Sequence, residues 1–298
     1  MSITPVLSAA EERSLRRPWP ALLLAAVFLC GLAPMPARAQ HRQFFSSDKA
    51  YCLSVKQTNK RGRAKSYFEL SGPGGRKISA FTRNCYTVQA FVPDSGLRLV
   101  VQCGFAGRMI VTNEIVFFDA SGKALARHDL NPAGNGGQAF SADGSSFVYG
   151  YQRSAGSALC MFDMKTGRKR WERSFESRFN GFKLAAQANN VFALTGAGNS
   201  YTAFLFDSSG RELGRAEVET NNSCKPEYIS VDGTRFAVTE TMPVNDPETG
   251  YMRFAPVRRH RYLFYDGRVT EEQIETLNPG ETNQPSSGGQ KRAAPPRQ

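Results

Sequence analysis

Histidine and tryptophan are scarce in this chain of 298 residues, which contains three histidines and two tryptophans. None of the histidines, His41, His128 and His260, lies in a recognisable motif. A histidine-assisted serine or cysteine nucleophile would need the fold to bring the two together, and nothing in the sequence indicates such a pair. The cysteines show no paired spacing of the kind that binds zinc. These scarcities disfavour a catalytic triad and a metal site.

The sequence also lacks a hydrophobic run long enough to cross a membrane, because the apolar stretch Ala21 to Leu32 is too short. Basic residues precede this stretch and small residues follow it: Arg13, Arg16 and Arg17, then Ala37 and Ala39. This order is typical of a secretory signal peptide. We therefore predict a leader over residues 1–39, a secreted or periplasmic protein, and no transmembrane span in the mature chain.

Short runs of aromatic and branched residues alternate with polar residues between Gly137 and Phe175. Such alternation, with a period of two, is typical of β-strands. The runs end at Ala142-Asp143-Gly144-Ser145 and at Lys165-Thr166-Gly167, where Asp or Thr can bond to the nearby backbone and Gly accepts a positive φ. Because turns this short join only antiparallel strands, the stretch predicts a four-stranded antiparallel sheet.

The same unit recurs along the chain at intervals of about 45 residues, a period typical of propeller blades. Its first turn carries an acidic or amide residue, at Asp48, Asp94, Asp143, Asn189 and Asp232. Its third strand ends in an aromatic-Asp pair: Phe118-Asp119, Phe162-Asp163, Phe206-Asp207 and Tyr265-Asp266, with Tyr67-Phe68-Glu69 as a degenerate copy. Two markers in the same order predict five repeats.

Two motifs within these repeats are similar to those of known propellers. The hairpins Phe140-Ser141-Ala142-Asp143-Gly144 and Ile229-Ser230-Val231-Asp232-Gly233 look like the link between the first two strands of a WD40-like blade, and Met161 to Trp171 looks like a PQQ-type repeat. From about Arg42 to Thr276 the chain therefore resembles the WD40-like and PQQ-like β-propeller superfamily. The resemblance implies an all-β propeller of five four-stranded antiparallel blades. It identifies no functional family, because the WD dipeptide is missing and one repeat alone carries the Trp.

The repeats form one predicted domain, residues 40–277. Blade five exceeds the others by about fourteen residues, and the excess falls at Met242 to His260, which we expect to be a functional or mobile loop. The last segment of that blade, Val269 to Thr276, is compatible with an outer strand or with a short helix. Residues 278–298 form a Pro-, Gly- and Gln-rich basic tail that buries too little apolar surface to fold, so we expect it to be disordered.

Five cysteines follow the predicted leader, and an odd number in an oxidising compartment leaves at least one unpaired. Cys85 and Cys103 lie almost symmetrically about the turn Pro93-Asp94-Ser95-Gly96. They can therefore face each other across one hairpin, and we predict a disulfide between them. The alternative is a pair of buried thiols.

Lysine and arginine exceed the acids, which gives a formal net charge of +12. In an exported protein this excess favours anionic surfaces, such as membrane lipids or acidic envelope polymers, over nucleic acid. The resemblance to WD40-like blades implies that the loops between the second and third strands share one face, and closure of a five-blade ring would place blade five beside blade one. We predict a binding surface there that contains Lys60, Arg61, Arg63, Lys65, Arg108, Arg153, Arg253, Arg258 and Arg259. The alternative is a set of solvated loops that repel one another.

These features predict a non-catalytic binding or scaffold module, whose partner is an unidentified protein or an anionic cell-envelope polymer. The alternative is a propeller hydrolase or lyase with its site at the mouth of the central channel, although the inner strands offer Glu227 and few other carboxylates. The quinone dehydrogenases that the PQQ-type repeat resembles have more blades, more tryptophans and calcium-binding acids, so no cofactor is expected. We expect a monomer, and the third alternative is a partial ring completed by dimerisation.

Overall fold

The structure is a computed structural model, and it describes residues 40–277 except 61–62, 107–109, 134 and 247–248. Twenty strands form five sheets, each with four strands in chain order. All the strand pairings are antiparallel. The predicted β-propeller of five four-stranded antiparallel blades is therefore confirmed. Over these ranges the one helix is a single 3-10 turn, Pro73–Gly75, and no helix could span a bilayer.

The strands follow the chain blade by blade. Blade one contains β1 Gln40–Phe45, β2 Cys52–Lys60, β3 Arg63–Ser71 and β4 Lys77–Arg83, and blade two contains β5 Tyr86–Phe91, β6 Arg98–Ala106, β7 Ile110–Asp119 and β8 Ala124–Ala133. Blade three contains β9 Asn135–Phe140, β10 Ser146–Gln152, β11 Ser157–Asp163 and β12 Lys169–Phe175. Blade four contains β13 Phe179–Leu184, β14 Val191–Ala197, β15 Ser200–Phe206 and β16 Glu212–Glu219, and blade five contains β17 Ser223–Ile229, β18 Arg235–Asn245, β19 Met252–Tyr265 and β20 Arg268–Thr276.

The turn between the first two strands is closed by the carboxylate that marks the repeat. In blade three, Asp143 Oδ1 accepts hydrogen bonds from Ser141 Oγ at 2.6 Å and from the Ser145 backbone N–H at 3.0 Å. Gly144 takes a φ of 66° and donates its N–H to the Ser141 carbonyl at 2.8 Å. A side chain with a Cβ is disfavoured in that left-handed conformation, which explains the glycine that follows the acid.

The turn between the third and fourth strands uses a second carboxylate in the same manner. In blade three, Asp163 accepts from the backbone N–H and the hydroxyl of Thr166 at 2.8 and 2.9 Å, and from Arg170 at 2.8 Å. The Arg170 bond is the main cause that lowers the pKa of Asp163 from 3.8 to about 2. The carboxylates of Asp94, Asp119, Asp143, Asp207 and Asp232 also have lowered pKa values.

These shifts predict acid sensitivity with a defined sign. A carboxylate whose pKa is lower in the folded chain stabilises the fold above its unfolded value, and this contribution is lost as pH falls through the folded value. For Asp163 that window lies between 3.8 and about 2. As the pH is lowered through this window, we expect the urea concentration at the unfolding midpoint to fall for the wild type. For Asp163→Asn we expect it to fall less steeply. Parallel slopes for the two proteins would contradict the assignment.

Neighbouring blades pack face to face through four apolar clusters, between blades one and two, two and three, three and four, and four and five. Between blades two and three the ring of Phe117 lies 6.0 Å from that of Phe147 and 5.1 Å from that of Phe162. The middle strands of blade three, β10 and β11, are buried on both faces. Such burial is expected for a sheet that lies between two others.

Blade one is buried on one side alone. Along β3, Phe68 and Leu70 are buried in the cluster shared with blade two, while the alternate residues are exposed. Among the described residues, no apolar cluster, hydrogen bond or ion pair joins blade five to blade one. We call the exposed side of blade one the open face, and its outward side chains include His41, Gln43, Phe45, Ser54, Lys56, Thr58, Arg63, Lys65, Tyr67, Glu69, Ala80 and Thr82.

The structure corrects one expectation for blade five and decides between the two alternatives of another. The expected loop at Met242 to His260 is largely a β-ribbon, because β18 continues to Asn245 and β19 begins at Met252. Between these two strands the Asp246 N–H donates to the Tyr251 carbonyl at 2.9 Å. The last segment is a strand, β20, and not a helix.

Candidate functional site

Strand register places the outward side chains of blade one in rungs across its four strands. One rung consists of successive cross-strand partners, His41, Lys56, Tyr67 and Thr82. The neighbouring rung consists of Gln43, Ser54, Glu69 and Ala80. Partners within a rung lie about 5 Å apart, and successive rungs are roughly 7 Å apart. A shallow cavity of ≈ 520 Å³ lies over these two rungs.

Positive charge dominates the open face. Arg63 and Lys65 extend from alternate positions of β3, and Lys56 extends from β2. Over the described ranges, none of these three has a carboxylate partner, and Lys65 Nζ lies over the Tyr67 ring at 5.2 Å. The one acid on this face, Glu69, is paired with Lys77 at 3.0 Å. The three cations are therefore available to an anion from solvent.

Several of the other predicted cations are neutralised within their own blades. Arg153 donates to Tyr151 Oη at 2.7 Å and pairs with Glu172. Arg259 pairs with Glu227 at 2.6 Å and with Glu275 at 3.0 Å. Arg253 lies 3.7 Å from Asp246. The pairs of Arg153 and Arg259 join residues that are distant in sequence, so the sequence did not reveal them.

Arg258 stands apart from the open face, in a cleft of ≈ 590 Å³ between blades four and five. Asn199, Glu219 and Asn222 also line this cleft. The predicted residues Arg61 and Arg108, and the side chain of Lys60, lie outside the described residues. The surface expected across blades one and five thus stays a prediction, and the structure groups Arg63 and Lys65 with Lys56 instead.

A buried polar network below the cleft was missed by the sequence reasoning. Glu240 Oε1 lies 2.5 Å from His260 Nε2, and His260 Nδ1 lies 2.7 Å from Glu271 Oε1. Glu240 Oε2 accepts from Thr220 Oγ1 at 2.7 Å and Asn222 Nδ2 at 2.9 Å. Burial raises the pKa of Glu240, but the bonds from Asn222, His260 and Thr220 outweigh it and leave the pKa below its usual range.

This network fastens the connection between blades four and five to β18. Both oxygens of Glu240 and both ring nitrogens of His260 have protein partners. Glu227, the inner-strand acid, is held by Arg259 and by Thr239. In the part of the chain that the structure describes, no group of three or more His, Cys, Asp or Glu could hold a metal ion. Glu240 and Glu227 each link strands of blade five to one another.

The structure joins Cys85 to Cys103 as a disulfide, with their Cα atoms 5.7 Å apart. That separation lies within the usual range for a disulfide. The bond in the protein in solution stays a prediction. Of the thiols, Cys160 and Cys224 are buried, and burial is the main cause that raises their pKa to about 11 and about 12. Both are therefore protonated and weakly reactive near neutral pH.

Comparison with known proteins finds no matching family model and no matching curated protein. The β-propeller domain of the trilobed protease from Pyrococcus furiosus is similar in structure, with 11% identity, a TM-score of 0.47, and coverage of 81% of this chain and 84% of that one. Hydrazine synthase from Kuenenia stuttgartiensis shows 12% identity, a TM-score of 0.43, and coverage of 80% and 84%. The WD40 domain of Toxoplasma gondii coronin shows 7% identity, a TM-score of 0.42, and coverage of 79% and 70%.

Proposed function

We propose that this chain is an exported binding module that recognises an anionic polymer or an acidic partner through the open face of blade one. The observation that supports this proposal is the presence of Lys56, Arg63 and Lys65 on one exposed sheet surface, without carboxylate partners among the described residues. Export is part of the proposal and rests on the leader predicted for residues 1–39, which lie outside the described residues.

Sheet geometry suits an extended ligand. Arg63 and Lys65 are two positions apart on one strand, so their side chains leave the sheet about 7 Å apart, and Lys56 lies on the neighbouring strand. A row of cations at this spacing can follow the charges of a linear anion. Arginine adds a planar fork of donors that matches a carboxylate or phosphate group. Because the cations are exposed, salt will weaken the attraction.

Reversing two of these charges is expected to weaken binding by about tenfold, because two attractions become repulsions. The variant is Lys56→Glu/Arg63→Glu, and the probes are labelled polyglutamate and labelled alginate oligosaccharides, measured by fluorescence anisotropy at rising salt. The matched control is Lys165→Glu/Arg168→Glu, which makes the same charge change at an exposed turn of blade three.

The control separates a defined site from general attraction to a basic protein. If both double variants weaken binding equally, net charge explains the binding and the open face is not the site. If the wild type binds neither polyanion, the proposed function fails. A wild-type affinity that is independent of salt would also contradict it.

A further inference from the structure

The open face carries more than charge. Tyr67 is 41% exposed at the centre of its rung, although an aromatic residue in a strand is usually part of the core. Lys56 and Thr82 flank it in the same rung, His41 lies beyond Lys56, and Gln43 and Ser54 lie in the next rung. Charge alone does not account for these aromatic and polar side chains, and they suit a ligand that offers hydrogen-bonding groups and a flat apolar surface as well.

These polar side chains and the Tyr67 ring border the same shallow concavity. The cavity of ≈ 520 Å³ is bordered by His41, Gln43, Ser54, Lys56 and Tyr67. Gln43 Nε2 and Ser54 Oγ are 3.4 Å apart, a long bond that leaves both groups able to contact a ligand. The imidazole, amide and hydroxyl groups supply both donors and acceptors.

We propose that the ligand of the open face is an acidic oligosaccharide, a chain of sugar rings that carry carboxylate or sulfate groups. This inference rests on the proposed function and names the ligand of the same site. The apolar face of one sugar ring lies over Tyr67, and sugar hydroxyls meet Gln43 and Ser54. The carboxylate or sulfate groups of the oligosaccharide form ion pairs with Lys56 and Arg63. A shallow open sheet admits a chain that extends beyond the cavity at both ends.

A single-stranded nucleic acid fits these observations less well. Proteins that bind it stack successive bases on neighbouring aromatic side chains. The second exposed aromatic residue of the open face, Phe45, is 54% exposed and lies two strands and two rungs from Tyr67. Standard strand spacings put the two residues roughly 17 Å apart, which is too far for neighbouring bases. A peptide of acidic residues alone, such as polyglutamate, would supply the charge but not a ring that Tyr67 can stack on.

The test compares probes that share charge and differ in chemistry. Alginate oligosaccharides and polyglutamate both carry carboxylates, oligo-dT carries phosphates, and dextran is a neutral sugar chain. Tyr67→Ala is expected to weaken alginate binding by about tenfold and to change polyglutamate binding less than about twofold, because the latter uses the cations alone. Tyr67→Phe keeps the ring and is expected to keep most of the alginate affinity. Tyr265→Ala removes a 77% exposed tyrosine in blade five and serves as the matched control.

Each outcome decides between the two proposals. If alginate binds no better than polyglutamate or oligo-dT, the oligosaccharide inference is wrong while the proposed anionic site stands. If Tyr67→Ala weakens both carboxylate probes equally, the ring does not contact sugar and the inference fails. If neither polyanion binds the wild type, both proposals fail. Thermal midpoints of the Tyr67 variants close to that of the wild type exclude unfolding as the cause.

Discussion

Replacement of Glu240 by alanine is expected to lower the free energy of unfolding by about 3–5 kcal/mol, because removing one partner leaves a buried network uncompensated. The side chain of Glu240 is 0% exposed, and it binds Thr220, Asn222 and His260. Without the carboxylate, these three groups lose a partner in a place where water has little access. Urea denaturation followed by circular dichroism measures the change.

Glu271→Ala is the matched control for this prediction. Glu271 binds the same histidine, at Nδ1, but its side chain is 39% exposed, so water can replace the lost bond. We expect the control to cost no more than about 1 kcal/mol. Equal losses in the two variants would show that burial of Glu240 is not what makes it important.

Gly210→Ala is expected to destabilise the fold by about 3 kcal/mol, through backbone strain and overpacking together. Gly210 has a φ of +82°, and an added Cβ would lie 2.5 Å from Trp171 Cγ, in the neighbouring blade. Trp171 has no room to retreat, because its Nε1 donates to the Ser208 carbonyl at 3.1 Å and the ring is buried between blades three and four. The measurement is again the urea midpoint.

The chain offers a control for the strain alone. Gly267 has a φ of +73°, and no atom lies within 4 Å of an added Cβ. Gly267→Ala should therefore cost only about 1–2 kcal/mol, the penalty of the left-handed backbone. If Gly210→Ala is no worse than Gly267→Ala, close packing of the glycine turn on Trp171 contributes nothing measurable.

The blade repeat could be predicted because its signals are local. Asp143 and Gly144 act within a few residues of themselves, so their spacing in sequence reports the turns directly. The ribbon of blade five could not be predicted in the same manner. Pro243, Asn245 and Asp246 are typical of loops, and the pairing of Val244 with Arg253 joins residues across a turn that gives no alternation signal.

The candidate site was predictable in part. The basic cluster in the first blade pointed to Arg63 and Lys65, but Tyr67 was noted only as part of a degenerate repeat marker, although it alternates with the buried Phe68 in the same strand. Whether a blade packs against one neighbouring blade or two depends on how the blades are placed in the fold. Local sequence patterning alone cannot show that. A period of two across Arg63, Lys65, Tyr67 and Glu69 was the signal that could have revealed an exposed side.

Blade one is the terminal unit of a stacked array, and this position affects its stability. To detach, it gives up a single apolar interface, whereas blade three would give up two. Local unfolding should therefore begin more readily at this end of the chain than in its middle. An occupant of its outer surface would oppose that fraying by mass action, so recognition and the integrity of the first repeat are thermodynamically linked.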